Sequence, residues 1–183
     1  MRNRAIFLDR DGVINVPPTQ KRYITCWEEF RFLPGALAAL RTLKAAHWKV
    51  IIVSNQAGVN RGIFSAYRLK EITHRMHQAI RAAGGQVHAA YYCTHLPEAG
   101  CTCRKPRAGL LRKAARRFSI KLEESFVVGD NVTDIQMGKS MRCRTILVLT
   151  GVTKRRGLRQ AGVTPDRIVR NLREAVHWIL HQT

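Results

Sequence analysis

Three short apolar runs, each halting at a polar or acidic residue, constrain this chain more than any other feature. Ala5 to Leu8 (AIFL) runs into Asp9, Val50 to Val53 (VIIV) into Ser54, and Phe126 to Val128 (FVV) into Gly129 and Asp130. Runs this short, with no polar alternation, fit strands buried on both faces, and such strands form parallel sheets covered by helices. Val87 to Tyr92 and Thr145 to Leu149 (TILVL) read as two further strands. The segments between read as helices. Pro34 and Gly35 open one that runs to about Ala46, and Ser65 is an N-cap for another that ends near Gly84 and Gly85. Ala108 to Phe118, Asp134 to Met141 and Leu172 to His181 complete the set. This alternation predicts right-handed crossovers and a three-layer, doubly wound α/β fold. No repeat, low-complexity tract or linker interrupts the 183 residues, so one domain is expected. Ligands of open α/β sheets bind beyond the carboxyl ends of the strands. Asp9, Ser54 and Asp130 are therefore expected together on one edge.

Charge and cysteine content narrow the function classes. The net charge is +20, which suits an anionic partner such as nucleic acid or a phosphorylated substrate. The basic residues are spread along the chain, which reads as a basic surface before it reads as a focused nucleic-acid face. The densest patches, Arg112, Lys113, Arg116, Arg117 and Lys154, Arg155, Arg156, Arg159, are not interleaved with aromatics. No apolar run approaches the roughly 18 residues of a membrane span, and the start of the chain lacks the pattern of a signal peptide. A cytoplasmic protein is expected. Five cysteines, an odd number, argue against a disulfide framework. Three of them, Cys93, Cys101 and Cys103, crowd around His95. Three thiolates and an imidazole make a closed tetrahedral set, the pattern of a structural zinc loop over 93–103 and not of a catalytic zinc with an open position.

Four motifs carry the chemistry. In Asp9-Arg10-Asp11-Gly12-Val13, two carboxylates two residues apart serve one site if the backbone turns, which Gly12 permits. One can attack phosphorus while the other handles the leaving-group proton. A calcium loop is the alternative, but no third acid precedes Gly12 and no Glu closes the loop. Ser54-Asn55-Gln56-Ala57-Gly58 offers a hydroxyl and backbone amides to a phosphoryl oxygen. Arg104-Lys105-Pro106 brings a Lys that can neutralise phosphoryl charge and an Arg that can grip a second anion. In Gly129-Asp130-Asn131-Val132-Thr133-Asp134, Asp130 can complete a Mg²⁺ site with Asp9, and Asp134 can orient that shell or cap the helix.

Taken together in this order, DRDGV, VSNQ, RKP and GDNVTD resemble the four motifs of the haloacid dehalogenase superfamily of phosphatases. The zinc loop, with FLDRDGVIN, NQAGVNRGIFS and CRKP, makes the chain similar to the D-glycero-D-manno-heptose 1,7-bisphosphate 7-phosphatases and to their relatives, the histidinol-phosphate phosphatases, from Ala5 to about Gly151. The resemblance implies a haloacid dehalogenase-like Rossmannoid fold with no large cap domain. It implies Asp9 as nucleophile, Asp11 as general acid and base, and Ser54 and Lys105 as stabilisers of the phosphoryl group. Mg²⁺ would sit on Asp9, Asp11 (through its carbonyl) and Asp130, with Asp134 in support, and Zn²⁺ on Cys93, His95, Cys101 and Cys103. Arg10, Asn55, Gln56, Arg61, Arg104 and Asn131 would face a small phosphorylated sugar. The pathway implied is heptose synthesis for the lipopolysaccharide core or related glycans, in a monomeric, cytoplasmic enzyme. Two features depart from the family pattern: Asn131 stands where heptose-type members often carry Lys, and the loop Pro17 to Arg22 lacks their acidic, glycine-containing character. The other readings are a histidinol-phosphate phosphatase, a phosphatase acting on nucleic-acid ends, and a non-catalytic basic binding module. Intact Asp9, Asp11, Lys105 and Asp130 argue against the last.

Overall fold

The structure, a computed structural model, describes residues 3–18, 23–151 and 155–182. Each predicted strand forms. β1 is Ala5–Leu8, β2 Lys49–Asn55, β3 Ala89–Cys93, β4 Phe126–Gly129 and β5 Arg144–Val148. A sixth, β6 (Arg167–Val169), follows them. All pairings are parallel, and the order is β3-β2-β1-β4-β5-β6. The chain starts in the middle of the sheet and winds outward both ways, so the strand order reverses between β1 and β4. That reversal opens the crevice in which doubly wound folds bind ligands.

The two-sided burial read from the sequence has a direct counterpart in packing. Along β1, β2 and β4, Ile6, Leu8, Val50, Ile52, Phe126 and Val128 face one core, while Ala5, Phe7, Ile51, Val53 and Val127 face the other. The first core is closed by α1 (Ala36–Ala45), α2 (Ala66–Ala82) and α6 (Leu172–Leu180), and the second by α3 (Gly109–Phe118) and α4 (Val132–Ser140). Each helix buries a stripe of helical spacing: Ala36, Ala39, Leu40 and Leu43 on α1; Leu69, Ile72, Met76 and Ile80 on α2. Ser65 caps α2 by accepting the Arg68 N–H at 3.2 Å, as its position predicted.

Four elements lie outside the sequence-based expectation. β6 has only three residues with an arginine at its start, and α5 (Arg155–Gln160) is basic with Leu158 as its buried apolar residue, so neither carries a periodic signal. β3 sits at the sheet edge with most residues only half-buried, which explains its weaker pattern and its shift from Val87–Tyr92 to Ala89–Cys93. α4 begins at Val132, two residues before the expected Asp134, because Asn131 and Asp134 form a reciprocal capping box. Of the loop Pro17 to Arg22, Pro17 and Pro18 border the cleft described next, and residues 19–22 lie outside the described residues, as does Lys154 of the second basic patch.

Candidate active site

β1, β2 and β4 deliver Asp9, Ser54 and Asp130 to the carboxyl edge of the sheet, and the segment Arg104–Lys105 crosses the same edge. There they line a cleft of about 480 Å³ with Asp11, Asn55, Arg61 and Asn131. Asp9 follows β1 directly, and its N–H continues the ladder to the Val128 carbonyl at 3.0 Å. Its carboxylate accepts the Arg10 N–H at 2.7 Å and the Lys105 ammonium at 3.0 Å.

Lys105 is the electrostatic centre of the site. Only 5% exposed, its Nζ lies 2.6 Å from Asp134 Oδ1, 3.0 Å from Asp9 Oδ1 and 3.2 Å from the Val53 carbonyl. Burial alone would strip its proton; the flanking carboxylates of Asp134 and Asp9 hold the proton and keep the pKa above its ordinary value. Burial pushes the Asp134 carboxyl up to about 6, with the charge of Asp9 adding to the shift and Lys105 opposing it. The other Asp134 oxygen accepts the Asn131 N–H at 3.1 Å, so this one carboxylate both caps α4 and anchors Lys105. The side chain of Asn55 clamps the Lys105 backbone, accepting its N–H at 3.1 Å and donating to its carbonyl at 3.3 Å.

Asp130 stands across the strand-order reversal from Asp9. Space for its carboxylate comes from two glycines. A Cβ on Gly12, whose φ is +81°, would lie 2.5 Å from Asp130 Oδ2, and a Cβ on Gly151 would lie 1.9 Å from it. Neither position accepts a side chain unless Asp130 moves. Carboxylate oxygens of Asp9, Asp130 and Asp134 lie within 4.8 Å of one another. Asp9 and Asp130 line the cleft, and hard carboxylate oxygens suit Mg²⁺.

Asp11 is held by a different set of groups. The Arg10 guanidinium grips it with Nη2 at 2.9 Å, Asn15 Nδ2 donates at 2.9 Å and Gln56 Nε2 at 2.8 Å. Burial would raise its pKa, but Arg10 and these donors hold the carboxyl below the usual range. The placement revises two expectations about substrate. Arg10 is fully buried and Gln56 nearly so, and both turn their donors to Asp11 and not to the cleft. Gln56 also donates to Ser54 Oγ at 3.3 Å. The Asn131 side chain is spent on the helix cap, accepting the Thr133 N–H and hydroxyl at 3.1 Å, although the residue borders the cleft. Arg61 is exposed on the cleft wall, and Arg104 reaches the His95 carbonyl at 3.3 Å.

Sequence reasoning missed Asn15, Thr150 and Gly151. Thr150 Oγ1 donates to the Gly12 carbonyl at 2.6 Å and so fixes the turn after β1. Thr150 and Gly151 come just past β5, so the strand-end rule applied to that strand would have found them. Tyr23 and Pro97 also line the cleft.

Cys93, His95, Cys101 and Cys103 converge beside the cleft. The sulfurs lie 3.1, 3.6 and 3.7 Å apart, and His95 Nδ1 lies 3.2 and 3.5 Å from two of them. A tetrahedral site with Zn–S bonds of about 2.3 Å has edges of about 3.8 Å, so the four donors fit a zinc ion with little adjustment. Burial and the neighbouring sulfurs push the Cys93 thiol up to about 12. Thr102, inside this loop, accepts the Gly109 N–H at 3.0 Å, and Arg107 donates to the Cys101 carbonyl at 2.6 Å. The loop is thereby tied to the start of α3 on one side and to Arg104–Lys105 on the other.

Comparison with known proteins agrees with this arrangement. The HAD-hydrolase-like family model matches residues 102–175. The chain is 39% identical to a D-glycero-beta-D-manno-heptose-1,7-bisphosphate 7-phosphatase of Bordetella bronchiseptica over 87% of this chain and 88% of that one. It is 37% identical to the D-glycero-D-manno-heptose-1,7-bisphosphate 7-phosphatase of Thermosynechococcus vestitus over 96% and 94%. The crystal structure of D,D-heptose 1,7-bisphosphate phosphatase from B. bronchiseptica, complexed with magnesium and phosphate, superposes with a TM-score of 0.90 at 36% identity and full coverage of both chains. This chain belongs to the D-glycero-D-manno-heptose-1,7-bisphosphate 7-phosphatase family of haloacid dehalogenase-like phosphatases.

Proposed function

We propose that this chain removes the 7-phosphate of D-glycero-D-manno-heptose 1,7-bisphosphate through an aspartyl-phosphate on Asp9. The observation that carries the reading is the buried Lys105 ammonium, 3.0 Å from Asp9 and 2.6 Å from Asp134, beside Asp130 across the strand-order reversal. The names borne by relatives similar over nearly the whole chain supply the substrate.

In this account an Asp9 oxygen attacks phosphorus in line with the departing sugar oxygen. Lys105 and Ser54 take the growing charge on the equatorial oxygens. Asp11 is assigned the general-acid step and must carry a proton, against the pull of Arg10, when the sugar oxygen departs; ionised again, it draws a proton from the water that opens the aspartyl-phosphate. Arg10, Asn15 and Gln56 aim the Asp11 carboxylate, so these three buried residues act as positioning groups. Asp9, Asp130 and the Asp11 carbonyl would hold Mg²⁺, which when bound offsets negative charge between nucleophile and phosphoryl group. Asp134 would keep Lys105 and the start of α4 in register with them. Arg104 and Arg61 are assigned to the remainder of the substrate, where its second phosphate would lie. Zn²⁺ on Cys93, His95, Cys101 and Cys103 would pin the loop that presents Arg104 and Lys105. We take the protein as a single-domain monomer that works in the cytoplasm; none of its described helices is long and apolar enough to cross a membrane.

Asp9→Asn tests the chemistry. It keeps the shape of the side chain and removes the nucleophile, so phosphate release from the sugar bisphosphate should fall below detection while the circular dichroism spectrum is unchanged. Retained turnover in a folded Asn variant would remove Asp9 from the reaction.

A further inference from the structure

A concavity larger than the cleft, about 780 Å³, lies at the opposite end of the sheet, where β1, β2 and β3 begin. Lys49 and Asn55, the first and last residues of β2, are six steps apart, or about 20 Å at roughly 3.3 Å per residue. A molecule bound in the cleft therefore does not reach this place. Arg4, Lys44 and Lys49 bring three positively charged side chains to it, His47 and His88 add two imidazoles, and among the described residues lining it none is acidic.

Several of these groups are held rigidly. Trp48, 4% exposed, packs edge-on against Phe126 at 5.7 Å, and Phe126 against Trp178 at 6.0 Å. The Arg4 guanidinium lies over the Trp48 ring, 4.0 Å from its centre, within the range of a cation–π contact. The Val50 N–H donates to His88 Nδ1 at 3.1 Å. That bond makes Nδ1 the acceptor and leaves the proton of the neutral ring on Nε2, as a donor on its opposite edge. His47 ends α1 in the left-handed region, at φ +57°, with its N–H on the Lys44 carbonyl and the Trp48 N–H on the Leu43 carbonyl, both at 3.0 Å. This is a Schellman turn at whose left-handed position glycine is the least strained residue. An imidazole stands there in its place, on the wall of the concavity.

We propose that this concavity is a second anion site, which takes a small molecule carrying two or more phosphate groups. Two ammonium groups and a guanidinium, with no carboxylate among the described lining residues, suit a ligand with more than one anionic group, and the volume falls in the range of small-molecule sites, about 300–1,000 Å³. Stacked guanidinium, ammonium groups and an oriented imidazole N–H are the donors that phosphate oxygens accept from.

The test is a titration of the ¹⁵N-labelled, zinc-loaded full-length protein with inorganic pyrophosphate, followed by amide shifts. The amides of Lys49, Val50 and His88 should saturate on an isotherm separate from that of Asp9 to Gly12. Lys44→Ala/Lys49→Ala should weaken the first isotherm at least about tenfold, since each lost charge-assisted contact is worth about that factor. It should leave the second isotherm and the phosphatase turnover unchanged. His47→Gly should weaken the first isotherm and raise Tm by about 2–4 °C, so that its loss of binding cannot be blamed on unfolding. Shifts confined to the cleft, shifts at 49, 50 and 88 that never saturate, or an unchanged isotherm in the double-alanine variant would each overturn the proposal. So would tighter binding at these amides by a single-stranded oligonucleotide than by pyrophosphate, which would make the face a polymer surface.

Discussion

Replacing Lys105 with methionine separates what the buried ammonium does for the fold from what it does for the reaction. The residue is 5% exposed, and its Nζ lies 2.6 Å from Asp134, 3.0 Å from Asp9 and 3.2 Å from the Val53 carbonyl. Methionine nearly matches the stem in length and volume, so the packing loss is small. What remains is a buried Asp134 carboxylate, 1% exposed, with no cation beside it and Asp9 close by. Breaking one side of a buried pair costs about 3–5 kcal/mol, which at roughly 2–4 °C per kcal/mol for a chain of this size lowers Tm by about 6–20 °C. Adding Asp134→Asn removes the stranded charge, keeps an acceptor for the Asn131 N–H, and should recover most of the loss. Activity should not return with it, because the ammonium that offsets charge on the phosphoryl oxygens is still missing. Urea unfolding without added Mg²⁺ gives the stabilities, and phosphate release with Mg²⁺ gives the rates. A Lys105→Met protein within about 1 kcal/mol of the parent, or a double variant in which the two losses simply add, would refute the reasoning.

Two further outcomes follow from the geometry. Stripping zinc with a chelator should lower Tm and expose the loop over 93–103 to proteolysis, since a loop this short has no core of its own; a zinc-free protein of equal Tm and equal turnover would contradict the assignment of Cys93, His95, Cys101 and Cys103. Asp166 is held below its ordinary pKa: burial opposes ionisation, but Lys139 at 2.8 Å and the Thr145 N–H and hydroxyl at 2.6 and 2.8 Å outweigh it. A depressed carboxyl stabilises the fold above its unfolded pKa, near 3.8, and that contribution is lost as the pH falls through the lower folded value. More than a third of the Asp166 side chain is exposed and water screens its pair with Lys139, so Asp166→Asn should cost no more than about 1 kcal/mol at pH 7 and close to nothing near pH 2; a loss of equal size at both would contradict it.

Most of the fold was legible because the central strands are buried on both faces. β1, β2 and β4 have no polar alternation to confuse them with loops, and each ends on the residue that the topology turns toward the cleft. β6 and α5 were not legible, because three residues beginning with arginine and a basic turn with one buried leucine have no period to read. The site shows the same division. Asp9, Ser54, Lys105 and Asp130 could be placed because strand ends or motif order put them on one edge. Which way Arg10, Gln56 and Asn55 point could not, since Arg10 and Gln56 bond back to Asp11, and Asn55 to the Lys105 backbone, only after distant segments have met. The capping box of Asn131 and Asp134 was present in the spacing. That Asp134 would also anchor Lys105, 29 residues away in sequence, depended on the crossing of the loop after β3.

The most direct test of the central claim is phosphate release, with Mg²⁺, from both anomers of D-glycero-D-manno-heptose 1,7-bisphosphate, with histidinol phosphate and a 3′-phosphorylated oligonucleotide alongside. The account predicts that a heptose bisphosphate has the highest kcat/KM and that the product keeps its 1-phosphate. A higher kcat/KM for histidinol phosphate or the oligonucleotide, or loss of the 1-phosphate in place of the 7-phosphate, would contradict it.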